Sequence, residues 1–216
     1  MRNALSILFL ITLVTHVLSF GQSASNPFVV VIDPGHGGDD SGAIGTHGIL
    51  EKDIVLKVAQ EMVRLNRETD GALGLYLTRY SDTLISLSDR TGLAKALKAE
   101  AYVSIHCNQA HRMEAQGIEV FLPMDTERFT EASLQLANAI GLNLNHYLGL
   151  KDRGVKAANF QVLRETVQVC PSILVELGFL SNGVEEEYFS KRTSIMAMAL
   201  VLLETLNDFF DEGNSQ

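Results

Sequence analysis

The chain has 216 residues, a length that fits a single domain. Hydrophobic residues make up 46% and charged residues 20%, a composition that supports a buried core and excludes a disordered chain. The 17 Lys and Arg residues face 26 Asp and Glu residues, and the net charge of -9 argues against nucleic acid as a partner because no broad positive surface is available.

The amino-terminal segment has the pattern of an export signal. Arg2 precedes an apolar run over 4–18, and residues 19–21 place small side chains where a signal peptidase cleaves. The run is shorter than the ~20 apolar residues of a spanning helix, so an uncleaved anchor is the less favoured interpretation. We therefore predict a signal peptide over 1–21, a short linker over 22–27, export to the periplasm or cell wall, and no stable membrane association after cleavage.

Hydrophobic patterns then predict strands and helices in alternation. Phe28 to Ile32 is a continuous β-branched and aromatic run, typical of a strand covered on both faces. From Glu51 to Glu68 the apolar residues recur with the period of a helix that buries one stripe. Further strands are predicted over 73–78, 101–106, 117–122, 160–163 and 172–177, and further helices over 88–98, 129–148 and 193–210.

This order of elements indicates the fold class. Strands separated by helices of this length imply right-handed crossovers and a mostly parallel sheet. We predict a single α/β domain over 28–212, with a twisted sheet, helices on both faces and a tail over 213–216. Cys107 and Cys170 are too few for a disulfide scaffold. They are expected to lie roughly 20 Å apart along the strands, too far for a bond to each other.

Potential metal ligands follow three of the predicted strands. The first strand runs into His36, the strand over 101–106 ends at His106, and the strand over 172–177 contains Glu176, while Glu51 begins the first helix. Ligands of open parallel sheets bind outside the carboxyl ends of the strands, so these four side chains should meet. Glu176 stands in an apolar run, where a carboxylate is costly to bury without a partner or ligand. Two imidazoles with carboxylates are typical of a catalytic zinc site.

Several motifs in the same segments point to a family. The stretches are VVVIDPGHGGDDSGAIG, GILEKD, SIHCN, RGVK and VLRETVQVCPSILVELGFLSN, and they run from Val29 to the closing helix. In this order they resemble the zinc-dependent N-acetylmuramoyl-L-alanine amidases of the Amidase_3 family. The resemblance implies hydrolysis of the amide between N-acetylmuramic acid and L-alanine in peptidoglycan, with bound Zn²⁺.

The resemblance also implies roles for individual residues. His36, Glu51 and His106 would be the zinc ligands and Glu176 the catalytic carboxylate. Four residues match family positions near the cleft and are candidates for substrate binding, with structural salt bridges as the alternative for the cationic ones: Asn108, Arg153, Lys156 and Arg164.

The other histidines and Cys107 are not expected to bind the metal. Side chains alternate along a strand, so Cys107 should point away from the metal if His106 points at it. His47 and His111 are expected in loops or on the surface, and His146 on a helix.

Two rival functions remain open at this stage. A binding protein that kept the fold without activity would lack a ligand or the catalytic carboxylate. In a phosphate-binding α/β domain a glycine-rich loop would follow the first strand. The PGHGG loop matches neither dinucleotide nor P-loop patterns, and Asp39 and Asp40 would repel phosphate.

Some family members have a helical insertion that closes the zinc cleft until an activator removes it. Here only residues 124–128 separate the strand from the helix near 129, too few for a helix with two connections. We therefore expect activity without an activator protein. We also expect the protein to be a monomer.

Overall fold

The computed structural model describes residues 27–69, 71, 73–124 and 129–213. The predicted signal peptide, all but the last residue of the predicted linker, and part of the segment over 124–128 lie outside these ranges. The strands are β1 (Phe28–Pro34), β2 (Leu73–Leu77), β3 (Ala101–Asn108), β4 (Ile118–Pro123), β5 (Asp152–Ala158) and β6 (Ser172–Phe179). The helices are α1 (Glu51–Glu68), α2 (Leu87–Leu97), α3 (Thr130–Leu148), α4 (Gln161–Thr166), α5 (Gly183–Ser190) and α6 (Arg192–Gly213).

All six strands form one sheet in the order β2-β1-β3-β6-β4-β5. The pairs β1–β2, β1–β3, β3–β6 and β4–β5 are parallel, and the pair β4–β6 is antiparallel. The chain passes from β1 to β2 on one side and later to β3 on the other, so the strand order reverses at β1. Ligands of open α/β sheets bind at such a switch point. The prediction of a single domain with a mostly parallel sheet is confirmed.

Helices cover both faces of the sheet, as predicted. The larger core joins apolar residues of α1, α3 and α6 to one face, and includes Ile54, Ile140 and Met198, all 1% exposed or less. The smaller core, on the other face, joins residues of α2 and α4 to β-strand residues such as Tyr102 and Leu174. The short α2 and α4 leave the carboxyl ends of the central strands accessible on that second face.

Helix α6 is long and apolar enough, by length and composition alone, to cross a membrane. Half of its most apolar window is buried inside the domain, and Met198, Leu202 and Leu206 are fully buried in the larger core. Core helices of globular domains have the same length and composition, and here the apolar side of α6 packs within the fold.

Two parts of the predicted element order are wrong or incomplete. The strand predicted over 160–163 is absent, because Val162, Leu163 and Thr166 are buried on one side of helix α4. The strand in that region is β5, an edge strand with mostly exposed or half-exposed side chains and no apolar run to mark it. Helix α5 was not predicted, although Asn182 is its N-cap and accepts hydrogen bonds from the amides of Val184 and Glu185.

Candidate metal centre

A buried polar network holds the turn that follows β1. Asp33 is 1% exposed, and its carboxylate accepts hydrogen bonds from Thr78 and Arg90 at 2.6 Å and from Tyr102 at 2.7 Å. Burial raises the pKa of Asp33, but the Arg90 charge and these hydrogen bonds outweigh it, so the pKa lies below its usual value. Asp33 therefore remains ionised beneath the turn and fixes the end of the strand.

Two buried arginines fix the carbonyl groups of the same turn. Arg90 donates to the carbonyl oxygens of Pro34 at 2.9 Å and His36 at 2.7 Å. Arg79 donates to the carbonyl oxygens of Pro34 at 3.0 Å and Gly35 at 2.8 Å. His36 has a φ of 58°, which is uncommon for a residue with a side chain. These bonds hold the backbone in that conformation and direct the imidazole over the end of the sheet.

The structure brings His36, Glu51 and His106 together. One potential ligand atom from each residue lies within 4.8 Å of the others. Glu51 Oε1 is 3.1 Å from His36 Nε2 and 2.8 Å from His106 Nδ1, and the two imidazole rings meet edge to face at 4.9 Å. Two nitrogens and a carboxylate oxygen form the donor set that Zn²⁺ prefers in catalytic sites.

Glu51 is fixed by backbone donors as well as by the imidazoles. Its Oε2 accepts from the amide of Ala43 at 2.7 Å, and its Oε1 accepts from the amide of Cys107 at 3.0 Å. Burial raises the pKa of Glu51, but hydrogen bonds and charges from His106 and His36 prevail and lower the pKa to about 2. The carboxylate is thus ionised at neutral pH, as a metal ligand must be.

Asp40 sets the orientation of the His36 ring. Its Oδ2 is 2.8 Å from His36 Nδ1, which leaves Nε2 directed toward Glu51. Burial lowers the pKa of His36, but Glu51 and Asp40 outweigh burial and raise the pKa to about 9. A carboxylate on the outer nitrogen of an imidazole ligand is a common feature of protein zinc sites.

Two glycines leave the space that these side chains occupy. A Cβ added to Gly35 would lie 2.2 Å from His106 Cε1. A Cβ added to Gly42, whose φ is +63°, would lie 2.4 Å from Glu51 Oε2 and 2.6 Å from His36 Cδ2. Neither position accepts a side chain without displacing one of the three potential ligands.

Glu176 lies next to His106 in the sheet. The two residues are register partners in the parallel pair β3–β6, so their side chains lie on the same face. Among the described residues, Glu176 Oε2 is one of three buried side-chain atoms without a hydrogen-bond partner. Burial, with the nearby charges of Glu51 and Glu119, raises the pKa of Glu176 to about 7, although His106 opposes this. Glu176 can therefore gain and lose a proton near neutral pH.

His36, His106 and Glu176 line an open cleft of about 810 Å³. The floor includes His36, His106 and Glu176, and one wall is formed by the segment that leads into α2. The opposite wall begins at Phe160, where β5 gives way to α4. The volume is in the range of ligand-binding sites, and a molecule in the cleft can reach His36, His106 and Glu176.

The candidate substrate-binding residues divide into two groups. Arg153 Nε and Lys156 Nζ each lie 2.6 Å from Glu119 Oε1, and Asn108 Nδ2 donates to Glu119 Oε2 at 3.0 Å. These three residues thus meet one buried carboxylate beside Glu176. Arg164 is exposed on α4 and donates to the carbonyl and side-chain oxygens of Asn159, so it is not brought to this cluster.

Several residues that shape the site were not among the sequence-based candidates. Asp40 contacts His36, Arg79 and Arg90 hold the turn after β1, and Glu186 holds a neighbouring loop. Glu119 joins Asn108, Arg153 and Lys156 beside Glu176. Glu186 is completely buried, accepts from the amide of His47 at 2.8 Å and also accepts from the hydroxyl of Thr46. It thereby fixes the loop that leads to Glu51. The acidic side chains within otherwise apolar segments were the available signal, but their partners are distant in sequence.

The two cysteines and the other described histidines are not among the three potential metal ligands. Cys107 and Cys170 are both free and buried. Cys107 packs in the larger core, on the sheet face opposite His106, as predicted. The side chain of His47 is 75% exposed and contacts Glu186, and His111 and His146 are exposed.

Comparison with known proteins identifies relatives over most of the described domain. Residues 30–207 match the model of the family Amidase_3, described as N-acetylmuramoyl-L-alanine amidase. The N-acetylmuramoyl-L-alanine amidase LytC of Bacillus subtilis is 40% identical over 161 residues, which are 73% of this chain and 31% of LytC. The chain therefore spans about a third of the length of that relative.

Solved structures resemble the fold over most of the chain. An N-acetylmuramoyl-L-alanine amidase from Clostridium difficile 630 matches with a TM-score of 0.80 and 33% identity, over 87% of this chain and 98% of that one. The CwlD amidase from Clostridioides difficile, solved in complex with the GerS lipoprotein, matches with a TM-score of 0.77 and 26% identity, over 85% of this chain and 98% of that one.

Proposed function

The chain belongs to the Amidase_3 family of N-acetylmuramoyl-L-alanine amidases, and from this premise we propose that it cleaves peptidoglycan. The bond is the amide between the lactyl group of N-acetylmuramic acid and the first L-alanine of the stem peptide. The observation that carries the proposal is the buried, unpartnered Oε2 of Glu176 beside the trio of His36, Glu51 and His106. A carboxylate with a raised pKa next to a set of metal donors is the arrangement that metal-dependent hydrolysis requires.

We propose Zn²⁺ as the metal of this site, held by His36, Glu51 and His106. The fit is supported by the two-nitrogen, one-oxygen donor set and by the Asp40 carboxylate on the outer nitrogen of His36. A bound zinc ion supplies Lewis acidity that polarises a carbonyl group and acidifies a water molecule.

In this proposal Glu176 moves the proton. Its Oε2 accepts a proton from the attacking water and then donates that proton to the nitrogen of the leaving alanine. The raised pKa suits both steps, because a group with a pKa of about 7 is partly protonated and partly ionised at neutral pH. Water adds across the amide, so a lactyl carboxyl group and a free amine result, and no covalent enzyme intermediate is required.

We further propose that the protein acts outside the cytoplasm. Its substrate lies there, and the segment over 1–21 has the sequence of an export signal.

We also propose activity without an activator, because residues 124–128 are too few to form a helix that fills the cleft. CwlD was solved with the GerS lipoprotein, so the purified protein must be assayed alone to test this. A Gly/Ser replacement of 124–128 should leave the rate unchanged, and a large increase would show that the segment occludes the site.

The identity of the bond is tested with purified sacculi. After incubation with the zinc-loaded protein, released peptides should begin with a free L-alanine amine, and the remaining glycan should carry intact lactyl carboxyl groups by mass spectrometry. Glu187→Gln is the control for a Glu176→Gln variant and should react as wild type, because Glu187 is exposed, pairs with Lys191 and does not line the cleft. New reducing sugars, or peptides cut at an internal bond, would contradict the proposal.

A further inference from the structure

Beside Glu176, one sheet face carries a cluster of charged side chains that the hydrolysis does not use. Glu119 is the register partner of Glu176 in the antiparallel pair β4–β6. Directly opposed residues in such a pair have Cα atoms about 4.5 to 5.5 Å apart and side chains on the same face. Glu119 therefore lies one strand beyond the proposed proton-transfer group, on the side of the cleft that leads to β5.

The cluster brings two partly exposed cations to one buried carboxylate in an acidic protein. Arg153 and Lys156 both contact the same oxygen of Glu119, so two cations share a single carboxylate. The Glu119 side chain is 7% exposed, whereas Arg153 and Lys156 are 32% and 41% exposed. The two cations thus keep part of their surface free beside Glu176, with Glu185 as a second nearby carboxylate, in a chain whose net charge is -9.

Aromatic rings hold the two cations in place. The guanidinium of Arg153 lies 5.0 Å from the ring centre of Phe179, and the ammonium of Lys156 lies 6.0 Å from that of Phe121. Phe121 in turn contacts Phe160, which lines the cleft. Both cations therefore pack against aromatic rings, and Lys156 is connected to the border of the cleft through Phe121 and Phe160.

The side of the cleft near α2 has more exposed apolar side chains and different charged groups. Leu84 and Leu87 line it with 58% and 48% of their surface exposed. The charged groups near them include Asp40 and Asp89, while the charge of Arg90 is paired with the buried carboxylate of Asp33. A carboxylate would be repelled there, whereas an uncharged sugar can pack against apolar side chains. The two sides of Glu176 thus differ in their charged side chains, as the peptide and glycan parts of the substrate differ in charge.

The spacing agrees with the chemistry of the stem peptide. Its second residue is a glutamate linked through the γ-carboxyl group, so the α-carboxyl group is free or amidated. Two extended residues span about 7 Å, which is about one and a half times the ~4.8 Å spacing of neighbouring strands, so this group lies between one and two strands from the scissile nitrogen. With the scissile amide at Glu176, a free α-carboxylate reaches the cluster on β4 and β5.

We propose that Arg153 and Lys156 form a specificity site for this free carboxylate, which directs the peptide toward β5 and the glycan toward α2. The inference rests on the proposed function. Charge-assisted hydrogen bonds to the carboxylate are stronger than those to a neutral amide, and the amidated group cannot accept them at both oxygens. The protein therefore discriminates between peptidoglycan with isoglutamate and peptidoglycan with isoglutamine.

The test compares two defined substrates, muramyl glycan fragments whose stem peptides contain either D-isoglutamate or D-isoglutamine. The wild-type protein should cleave the isoglutamate substrate with a kcat/KM higher by roughly 10- to 100-fold, mainly through KM. Lys156→Met should remove most of this preference by slowing only the isoglutamate substrate, and Lys156→Arg should restore it. Lys57→Met, a change of the same type at an exposed position of α1, should behave as wild type.

The outcomes separate the inference from the function on which it rests. Equal rates on both substrates with the wild-type protein would overturn the specificity site and leave the amidase function intact. Equal losses on both substrates in Lys156→Met would show that the cluster is only a structural salt bridge. Failure to cleave either substrate, or sacculi, would overturn the proposed function itself.

Discussion

A single methyl group at Gly35 should disable the metal centre. In Gly35→Ala the new Cβ would lie 2.2 Å from His106 Cε1 and 2.4 Å from His106 Nε2. Ordinary contacts begin at 3.4 Å, so the first of these distances is short by 1.2 Å. The backbone cannot easily withdraw, because the Gly35 amide donates to the carbonyl of Ile105 at 3.0 Å and the Gly35 carbonyl accepts from Arg79. The imidazole must therefore move by about an ångström.

The structure sets the size of the effect. Overpacking of this kind costs about 1 to 3 kcal/mol of unfolding free energy. A displacement of about 1 Å at a catalytic position lowers activity by about 10²-fold. Gly35 is not one of the described glycines with a positive φ. The loss would therefore come from the contact with His106 and not from backbone strain.

The assay combines zinc content, hydrolysis rate and thermal unfolding for matched variants. Gly92→Ala is the control, because an added Cβ in the middle of α2 meets nothing within 4 Å. It should bind zinc and react as wild type, and gain about 0.5 to 1 kcal/mol of stability from the better helix former. If Gly35→Ala bound zinc and hydrolysed substrate as wild type does, the placement of the His106 ring would be wrong.

Further predictions concern the supports of the site. Arg90→Met leaves the buried Asp33 carboxylate without its charged partner, so chemical denaturation should show a loss of about 3 to 5 kcal/mol, and a loss below 1 kcal/mol would contradict this. Because the pKa of Asp33 is lowered, its stabilisation is present above the unfolded pKa near 3.8 and is lost as pH falls through the folded pKa; Asp33→Asn should remove this acid dependence from the unfolding curve. Glu186→Ala should cost about 1 to 3 kcal/mol, whereas the exposed Glu187→Ala should stay within about 0.5 kcal/mol, and equal effects would refute the role of Glu186 in the loop. Cys107→Ala should keep full zinc content, since the buried thiol lies in the larger core, and loss of metal would identify Cys107 as a ligand.

The order of motifs in the sequence predicted well which residues meet at the candidate metal centre. His36, Glu51, His106 and Glu176 could be placed together because each lies near the end of a strand or at the start of a helix that meets one edge of a parallel sheet. Their neighbours could not be found in this way. Arg90 meets Asp33 across 57 positions, and Glu186 meets His47 across 139 positions, so only the folded chain specifies these pairs.

The less regular parts of the fold were harder to predict for local reasons. β5 has mainly exposed or half-exposed side chains, so its sequence has no apolar pattern that predicts a strand. It forms a strand through its pairing with β4. The short α4 contains the apolar pair Val162 and Leu163, which also fits a strand. The antiparallel register that sets Glu119 beside Glu176 depends on contacts between distant segments, so the Arg153 and Lys156 cluster could be named only as substrate-binding candidates.

The most direct test of the account measures bound zinc and hydrolysis rate together in two variants. Glu176→Gln should retain about one zinc per chain while its rate falls by about 10² to 10⁴, because only the proton-transfer group is lost. His106→Ala should lose both zinc and activity, and His146→Ala, on the exposed side of α3, should lose neither. The account would be contradicted if Glu176→Gln lost the metal, or if His106→Ala still hydrolysed peptidoglycan at the wild-type rate.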